Sequence, residues 1–151
     1  MLICARHYSA LIGDADAISH LIIQTLREIN AKDYPPAVIE EVIKSFSPDQ
    51  VVIRMKQRHV FVVIREECII GTASLEDNVV RSVFILPSNQ RQHIGSMLMS
   101  HLEKIAKEKN IHILTVPSSI TAEGFYQKLG YKSLRDEYYG EERTIIMEKH
   151  L

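Results

Sequence analysis

The sequence predicts an α/β fold in which a mixed central β-sheet is covered by helices. Short runs of β-branched and aromatic residues alternate with stretches of helical periodicity along the chain. One such run, residues 79–86, leads through a polar loop into a predicted helix at 94–109, and another run follows at 111–116. A helix that joins two neighbouring strands normally crosses over the sheet, so these two strands should be parallel. Hairpin-length connections elsewhere imply antiparallel neighbours, and the sheet should therefore be mixed.

The first part of the chain is predicted to be mainly helical. Residues 2–6 predict a short first strand, and Asp14 should cap the helix that follows. The apolar positions of that helix recur at helical spacing: Ile18, Leu21, Ile22, Thr25, Leu26 and Ile29. Pro35 and Pro36 break the chain, and a second helix at 36–46 can accept proline in its first turn.

A capping pattern and two apolar runs organise the middle of the chain. Ser47 is followed three residues later by Gln50, which predicts a third helix over Pro48–Gln57. Two strands, at 60–64 and 69–75, flank a short polar connection and form a hairpin. A polar turn then leads into the strand that precedes the loop.

The last part of the chain is predicted to add a helix and a final pair of strands. The helix at 121–129 should stop at Gly130, because glycine readily adopts the left-handed conformation of the C′ position. Strands are predicted at 131–134 and 144–149.

Composition indicates one soluble domain spanning residues 1–151. With 151 residues and 46% apolar content the chain can bury one substantial core. The formal net charge is −1, so neither nucleic acid nor an anionic membrane is an expected partner. Residues 1–5 lack the charged leader of a signal peptide, and the longest apolar run, 60–64, cannot span a bilayer. We therefore expect a cytoplasmic protein.

The two cysteines do not suggest a metal site. Cys4 and Cys68 lie in apolar runs and lack the spacing of metal ligands. We interpret both as reduced core residues, and no metal is expected.

The loop before the helix at 94–109 is predicted to hold a pyrophosphate. Pro87 ends the preceding strand, and the first turn of the helix carries unpaired N–H groups together with a partial positive charge. Main-chain N–H groups from Gln92 to Ser96 can point at an anion there. Gly95 has no Cβ and would allow the main chain to approach the phosphates closely.

Side chains of the same loop can add donors. Gln90 offers an amide and Arg91 a guanidinium fork that suits phosphate. His93 can contribute its backbone N–H alone or its ring as well. The alternative is an ordinary strand-to-helix connection with a surface Gln and Arg.

Two sequence blocks together resemble the GCN5-related N-acetyltransferases. The first is Ile85-Leu86-Pro87 followed by Gln90-x-x-His93-x-Gly95. The second, one helix and one strand downstream, is Ser119-x-x-Ala122-x-x-Phe125-Tyr126-x-Lys128-Leu129-Gly130-Tyr131. The family's acetyl-CoA loop is written Q/R-x-x-G-x-G/A, so His93 stands where the first glycine is expected.

The resemblance implies acetyl-CoA as co-substrate and a mode of binding it. In the family, strands 4 and 5 separate after a bulge, and the pantetheine arm pairs with the freed edge of strand 4. By resemblance, the main chain at Val83 and Ile85 forms that edge. Ser119 stands where many relatives have an asparagine that contacts the cofactor, although helix capping by Ser119 or Thr121 explains it equally well.

The catalytic residues are also inferred by resemblance. Tyr126 occupies the family's general-acid position, from which a phenol can protonate the departing thiolate; the alternative is a half-buried tyrosine at a helix end. Many relatives place a glutamate on strand 4, where this chain has Arg81 and Ser82. Glu76 is the nearest substitute as the base, unless it is only a solvated turn carboxylate. Arg81 is expected either to contact an acidic substrate group or to form a surface ion pair.

Three functions remain open at this point. The favoured one is transfer of acetyl from acetyl-CoA to a primary amine of a small molecule by direct attack. A protein N-terminal or lysine acetyltransferase is an alternative, since Tyr138 and Tyr139 are similar to the paired tyrosines of N-terminal acetyltransferases. The third is a CoA-binding regulatory module without turnover. A homodimer is compatible with all three.

Overall fold

A computed structural model describes residues 6–151, with side chains from Ser9 onward, and shows a seven-stranded mixed sheet covered by helices. The helices are α1 (Ala15–Glu28), α2 (Pro36–Lys44), α3 (Pro48–Gln57), α4 (Ile94–Glu108) and α5 (Glu123–Lys128). The strands are β1 (Arg6–Ser9), β2 (His59–Arg65), β3 (Cys68–Glu76), β4 (Val79–Ile85), β5 (Ile113–Ser119), β6 (Lys132–Tyr139) and β7 (Glu142–His150). The predicted fold class is confirmed. The predicted strand at 2–6 and Cys4 lie outside the described residues, except for Arg6, where β1 begins.

The helix α1 forms where its apolar period predicted it. Its buried residues include Ile18, Leu21, Ile22 and Leu26, which pack over one face of the sheet. Asp14 precedes this helix but does not cap its first turn. Its carboxylate instead accepts the N–H of Leu11 at 2.8 Å, because a single 3-10 turn at Ile12–Asp14 intervenes.

The helix α3 has the predicted bounds and the predicted cap. Ser47 Oγ accepts the N–H of Gln50 at 3.4 Å, which pairs one of the orphan donors of the first turn. The helix α2 ends at Lys44, two residues before the predicted end.

The sheet has the order β1-β2-β3-β4-β5-β7-β6. Neighbours are antiparallel except for β4 and β5, which are parallel as predicted. Among the described residues these two strands pair only at Val79 and Thr115. They therefore separate almost from their first residues, and a cleft opens between them.

A bulge in β4 accompanies this separation. Thr72 pairs with Phe84 and Ser74 pairs with Arg81, so β4 carries one extra residue between these two pairs. Ser82 lies there in the left-handed region, with φ of 54°. The bulge includes Val83, the first of the two residues predicted to bind pantetheine, and precedes the second, Ile85.

The helix α4 covers the other face of the sheet. Its side chains Leu98, Met99, Leu102 and Ala106 are fully buried, and the helix packs against β2, β3 and β4. Two packed layers thus hold β4 between α1 on one face and α4 on the other, so the site is built on rigid elements.

The C-terminal strands differ from the prediction. Strand β5 begins at Ile113 and continues through Pro117 to Ser119, whereas the sequence predicted 111–116. Strands β6 and β7 are both longer than predicted, because their polar ends continue to pair up to Tyr139 and Glu142. The expected stop after α5 is confirmed, since Gly130 has φ of 95° and Tyr131 N–H bonds to the carbonyl of Tyr126.

Neither a membrane span nor a metal cluster was found in the described part of the chain. No helix within residues 6–151 is long and apolar enough to cross a bilayer. No group of three or more His, Cys, Asp or Glu side chains there could hold a metal ion. Cys68 is a free and exposed residue at the start of β3, which corrects its assignment to the core.

Candidate active site

A cleft of about 910 Å³ opens where β4 and β5 separate. This volume lies within the range of about 300–1,000 Å³ that small-molecule sites occupy. Most of the residues predicted from sequence line it: Val83, Ile85, Gln90, Arg91, His93, Gly95, Ser96, Ser119 and Tyr126. Gln92 and Glu76 do not.

The edge of β4 faces this cleft with its main chain. Leu86 N–H donates to the carbonyl of Ile70 on β3 at 2.9 Å. Because hydrogen-bonding direction alternates along an antiparallel strand, the polar groups of Ile85 face away from β3, and Val83 also lines the cleft. Strand β5 has already separated at this point, so the N–H of Ile85 is open to an extended ligand. The carbonyl of Ile85 accepts from Thr25 Oγ1 at 3.3 Å and from Gln90 Nε2.

Two residues of the loop have left-handed backbone. Arg91 has φ of 62° and His93 has φ of 61°. The second value explains the family's glycine at the position of His93, because glycine reaches positive φ without strain. Histidine is among the non-glycine residues that adopt this conformation more often than most.

The first turn of α4 presents free N–H groups to the cleft. His93 is the N-cap residue, and no side chain caps the turn. The N–H groups of Ile94, Gly95 and Ser96 therefore lack intrahelical partners, and the helix dipole adds positive potential at the same place. A helix N-terminus of this kind is suited to an anion such as a phosphate.

Gly95 has a packing role that the sequence did not reveal. A Cβ built on Gly95 would lie 2.9 Å from Cζ of Phe125, which is too close. The absent side chain therefore makes room for the Phe125 ring and brings α4 against α5. Any larger residue at Gly95 would disturb this packing as well as the phosphate site.

The loop side chains have different positions. Gln90 Nε2 donates to the carbonyl of Ile85 at 2.7 Å, so this side chain ties the loop to the edge of β4. The side-chain oxygen of Gln92 accepts from Arg65 and Asn89, which keeps Gln92 outside the cleft. Arg91 is exposed at the cleft rim.

Tyr126 lies on α5 at the wall of the cleft and is only 4% exposed. Its ring packs edge-on against Phe125 and Tyr131, with ring centroids 5.1 Å and 5.7 Å away. Burial raises the pKa of the Tyr126 hydroxyl well above its ordinary value. The phenol therefore stays protonated and remains a hydrogen-bond donor throughout the physiological pH range.

Ser119 caps the entry to α5 and lies in the cleft wall. Its Oγ accepts the N–H of Ala122 at 3.2 Å at the entry to α5, and the residue also lines the cleft. Thr121 does not cap the helix, since its hydroxyl donates to the carboxylate of Asp33 at 2.7 Å.

Glu76 lies at the end of β3, outside the cleft lining. Its carboxylate accepts from Arg81 Nε at 2.9 Å, and its side chain is 33% exposed. The ion pair that was one alternative for Arg81 is thus present. Glu76 is held by an arginine and is not directed at the space beside Tyr126.

Glu142, at the start of β7, is a cleft carboxylate that sequence reasoning missed. Burial raises the pKa of its carboxyl above the ordinary value. No sequence signal marks this residue, because β7 was predicted to begin at Thr144, which left Glu142 outside the predicted strand. Only the pairing of β6 with β7 brings it to the cleft.

Tyr34 closes the same end of the cleft. Its hydroxyl donates to the carbonyl of Arg143 and accepts the N–H of Ile120, both at 2.8 Å. The connection between α1 and α2 is thereby tied to the ends of β5 and β7.

Arginines from two elements also meet at the cleft and were missed as a group. Arg54 of α3 and Arg58, which follows the helix, lie beside Arg81 and Ser82 of β4, and all four line the cleft. We call these four residues the arginine pocket. Arg54 lies in the last turn of α3, whereas Arg58 is the C-cap residue and has extended backbone, so helical spacing alone does not bring the two together.

Comparisons with known proteins agree with this geometry. A family model described as an acetyltransferase (GNAT) domain matches residues 30–151. A GCN5-related N-acetyltransferase structure from Rhodopseudomonas palustris superposes with a TM-score of 0.92 at 22% identity, covering 100% of this chain and 99% of that one. The PaiA N-acetyltransferase of Thermoplasma acidophilum, solved with coenzyme A, has a TM-score of 0.84 at 20% identity, covering 99% and 100%.

Sequence relatives match over shorter stretches. A candidate acetyltransferase of Bacillus subtilis (strain 168) is 34% identical over 56 residues, which is 37% of this chain and 38% of that protein. The chain spans about two fifths of the length of the curated relatives it matches.

Proposed function

Because the chain belongs to the GNAT acetyltransferase family, we propose that it transfers acetyl from acetyl-CoA to a primary amine of a small molecule by direct attack. One observation carries the proposal: a single cleft joins the open edge of β4, the uncapped first turn of α4 and the buried hydroxyl of Tyr126. An extended pantetheine, an anionic pyrophosphate and a leaving thiolate require these three features.

The residues of the cofactor half have distinct tasks in this proposal. The main chain at Val83 and Ile85 pairs with the pantetheine arm as a further strand would. The N–H groups from Gln92 to Ser96 hold the pyrophosphate, aided by Arg91 at the rim. Gln90 fixes the loop against Ile85, and Ser119 offers a hydroxyl beside α5.

Tyr126 and a carboxylate divide the proton transfers. The thioester supplies the acetyl group; a carbon–nitrogen bond forms to the amine as the carbon–sulfur bond breaks. Tyr126 directs its O–H at the sulfur and stabilises the departing thiolate. A carboxylate takes the amine proton, and Glu142 is better placed than Glu76 because it lines the cleft and no arginine among the described residues forms an ion pair with it. Its raised pKa also makes it a stronger base.

The acceptor end of the cleft supports a small molecule over a protein substrate. The tether from Tyr34 to Arg143 and Ile120 closes this end with a fixed connection. A compact amine can enter beside it, whereas a continuous peptide would have to cross it.

The test is a panel of amines incubated with acetyl-CoA while free thiol is measured. Thiol release above hydrolysis with particular amines is the expected result. CoA binding without release from any amine or peptide would favour the regulatory module. Release with peptides alone would favour a protein acetyltransferase, and absence of CoA binding by calorimetry would overturn the proposal.

A further inference from the structure

The arginine pocket holds more positive charge than the described residues around it neutralise. Arg81 pairs with Glu76 at 2.9 Å, and the same carboxylate lies 3.9 Å from Nε of Arg58. Arg54 has no carboxylate within ion-pair distance in the part of the chain described; its guanidinium lies 4.5 Å from the centroid of the Phe46 ring. Three guanidinium groups thus share one carboxylate.

Two of these guanidinium groups also lack hydrogen-bond partners at buried atoms. Nη1 of Arg54 and Nε of Arg58 are buried with no acceptor among the described residues. Nη1 of Arg58 donates to Ser82 Oγ at 3.3 Å. Burial, followed by the neighbouring arginine charges, lowers the pKa of both groups. A buried donor without an acceptor is unfavourable unless a ligand supplies the acceptor.

The arginine pocket lies near the place where the reacting groups are expected. Arg81 and Ser82 immediately precede Val83 on β4, at the bulge where β4 leaves β5. Under the proposed function, on which this step rests, the pantetheine arm runs along Val83 and Ile85. The loop that holds the pyrophosphate lies beyond Ile85, so the pocket lies at the opposite end of the strand, beside the thioester.

We propose that the arginine pocket binds an oxyanion of the acceptor, so that the acceptor is an amine carrying a carboxylate or a phosphate. The guanidinium fork matches both anions, and its charge strengthens each hydrogen bond. The same charges repel a simple diamine, whose second ammonium group would enter the pocket.

Matched pairs of amines test this inference. β-Alanine is compared with its amide, and O-phosphoethanolamine with ethanolamine, while putrescine represents the diamines. We expect at least one anionic amine to bind the CoA-loaded protein about tenfold or more tightly than its neutral partner, as measured by calorimetry, and to show the same preference in thiol release. The two pairs separate carboxylate from phosphate recognition.

Variants at Arg54 and Arg58 test whether these two arginines cause the preference for anionic amines. Arg54→Met should reduce the anionic preference about tenfold, and Arg58→Lys should reduce it partially, since lysine keeps the charge but not the fork. Lys56→Gln is the matched control, because Lys56 lies between them on α3, is exposed and does not line the cleft. Arg54→Met should melt no lower than the parent protein, because it removes a buried unpaired charge.

Each result bears on the inference separately from the proposed function. Equal binding of the anionic and neutral partners would overturn the inference even if another amine is acetylated. Anionic preference without thiol release would support the pocket and count against the transferase. An unchanged preference with weaker CoA binding in Arg54→Met would assign the pocket to the cofactor and overturn the inference. An unchanged preference with a much lower melting temperature would make the arginine structural.

Discussion

The two halves of the cleft are built from different parts of the polypeptide. The cofactor half consists of the edge of β4, the loop at Arg91 and His93 and the first turn of α4, and it offers mainly backbone groups. The acceptor half consists of the arginine pocket and Glu142, and it offers side chains from α3, β4 and β7. Backbone groups stay in place when residues change, whereas an acceptor site of side chains changes with each substitution.

This difference leads to separate expectations for mutants. Substitutions in the acceptor half and at Tyr126 should alter turnover or acceptor choice while cofactor affinity stays. Substitutions in the cofactor half should alter CoA affinity only if they change the backbone conformation or place a charge beside the backbone groups.

The largest effect is expected for Tyr126→Phe. Removing the hydroxyl should lower kcat by about 10²- to 10⁴-fold, because general acid catalysis is typically worth that much, while acetyl-CoA affinity stays nearly constant. The raised pKa of Tyr126 means that it does not titrate between pH 6 and 9, so the loss should be the same across this range. The measurement is kcat against pH beside CoA affinity.

Tyr131→Phe is the matched control for this variant. Tyr131 is also buried and packs against the Tyr126 ring, but it does not line the cleft. Equal losses in the two variants, or a kcat of Tyr126→Phe within about threefold of the parent, would show that Tyr126 is structural. Tyr139, which also lines the cleft, would then be tested as the acid, followed by the exposed Tyr138.

The second-largest effect on kcat is expected for Glu142→Gln, and Glu76→Gln is the variant to compare with it. Loss of the base should lower kcat about 10²-fold or more for Glu142→Gln. The base acts as a carboxylate, so parent turnover should rise with pH through the raised pKa of Glu142, and this limb should vanish in the variant. If Glu76→Gln shows the larger loss, the base assignment from sequence was right and Glu142 only lines the site.

Stability should change in a direction set by the same pKa shift. Because the folded-state pKa of Glu142 lies above its unfolded value, ionisation opposes folding as pH rises above the unfolded pKa. Glu142→Gln should therefore melt no lower than the parent at neutral pH. Any stability advantage of Glu142→Gln over the parent should disappear at pH values below the ordinary carboxyl pKa. There the Glu142 carboxyl is neutral in both the folded and the unfolded parent protein.

The contrast between the halves also explains what the sequence could predict. The period of α4, the apolar run of β4 and the loop residues Gln90 to Gly95 lie close together in sequence, so local pattern predicted the strand, the loop and the helix. The family resemblance supplied the expectation that pantetheine binds at the edge of β4. The acceptor half depends on the pairing of distant segments, such as β6 with β7, which no local pattern encodes. Glu76 was chosen because it is near β4 in sequence, and its pairing with Arg81 became visible only in space.

A negative charge placed in the cofactor half should weaken CoA binding while it slightly stabilises the protein. Ser96 is the third residue of α4, so Ser96→Asp puts a carboxylate beside the free N–H groups. The helix dipole should stabilise it by about 0.3–1 kcal/mol, whereas repulsion of the pyrophosphate should weaken CoA binding about tenfold or more. Ser100→Asp, exposed one turn further along, is the control. Unchanged CoA affinity in a folded Ser96→Asp protein would place the pyrophosphate elsewhere.

The smallest effect is expected for His93→Gly, which decides how this residue serves the loop. The left-handed backbone at φ of 61° costs a non-glycine residue about 1 kcal/mol, which glycine avoids, although glycine also gains entropy in the unfolded chain. We therefore expect a melting temperature equal to or slightly above that of the parent. If His93 offers only its backbone N–H, CoA affinity should stay within about twofold, since this donor and its φ are preserved. A loss of about tenfold would instead show that the ring binds phosphate.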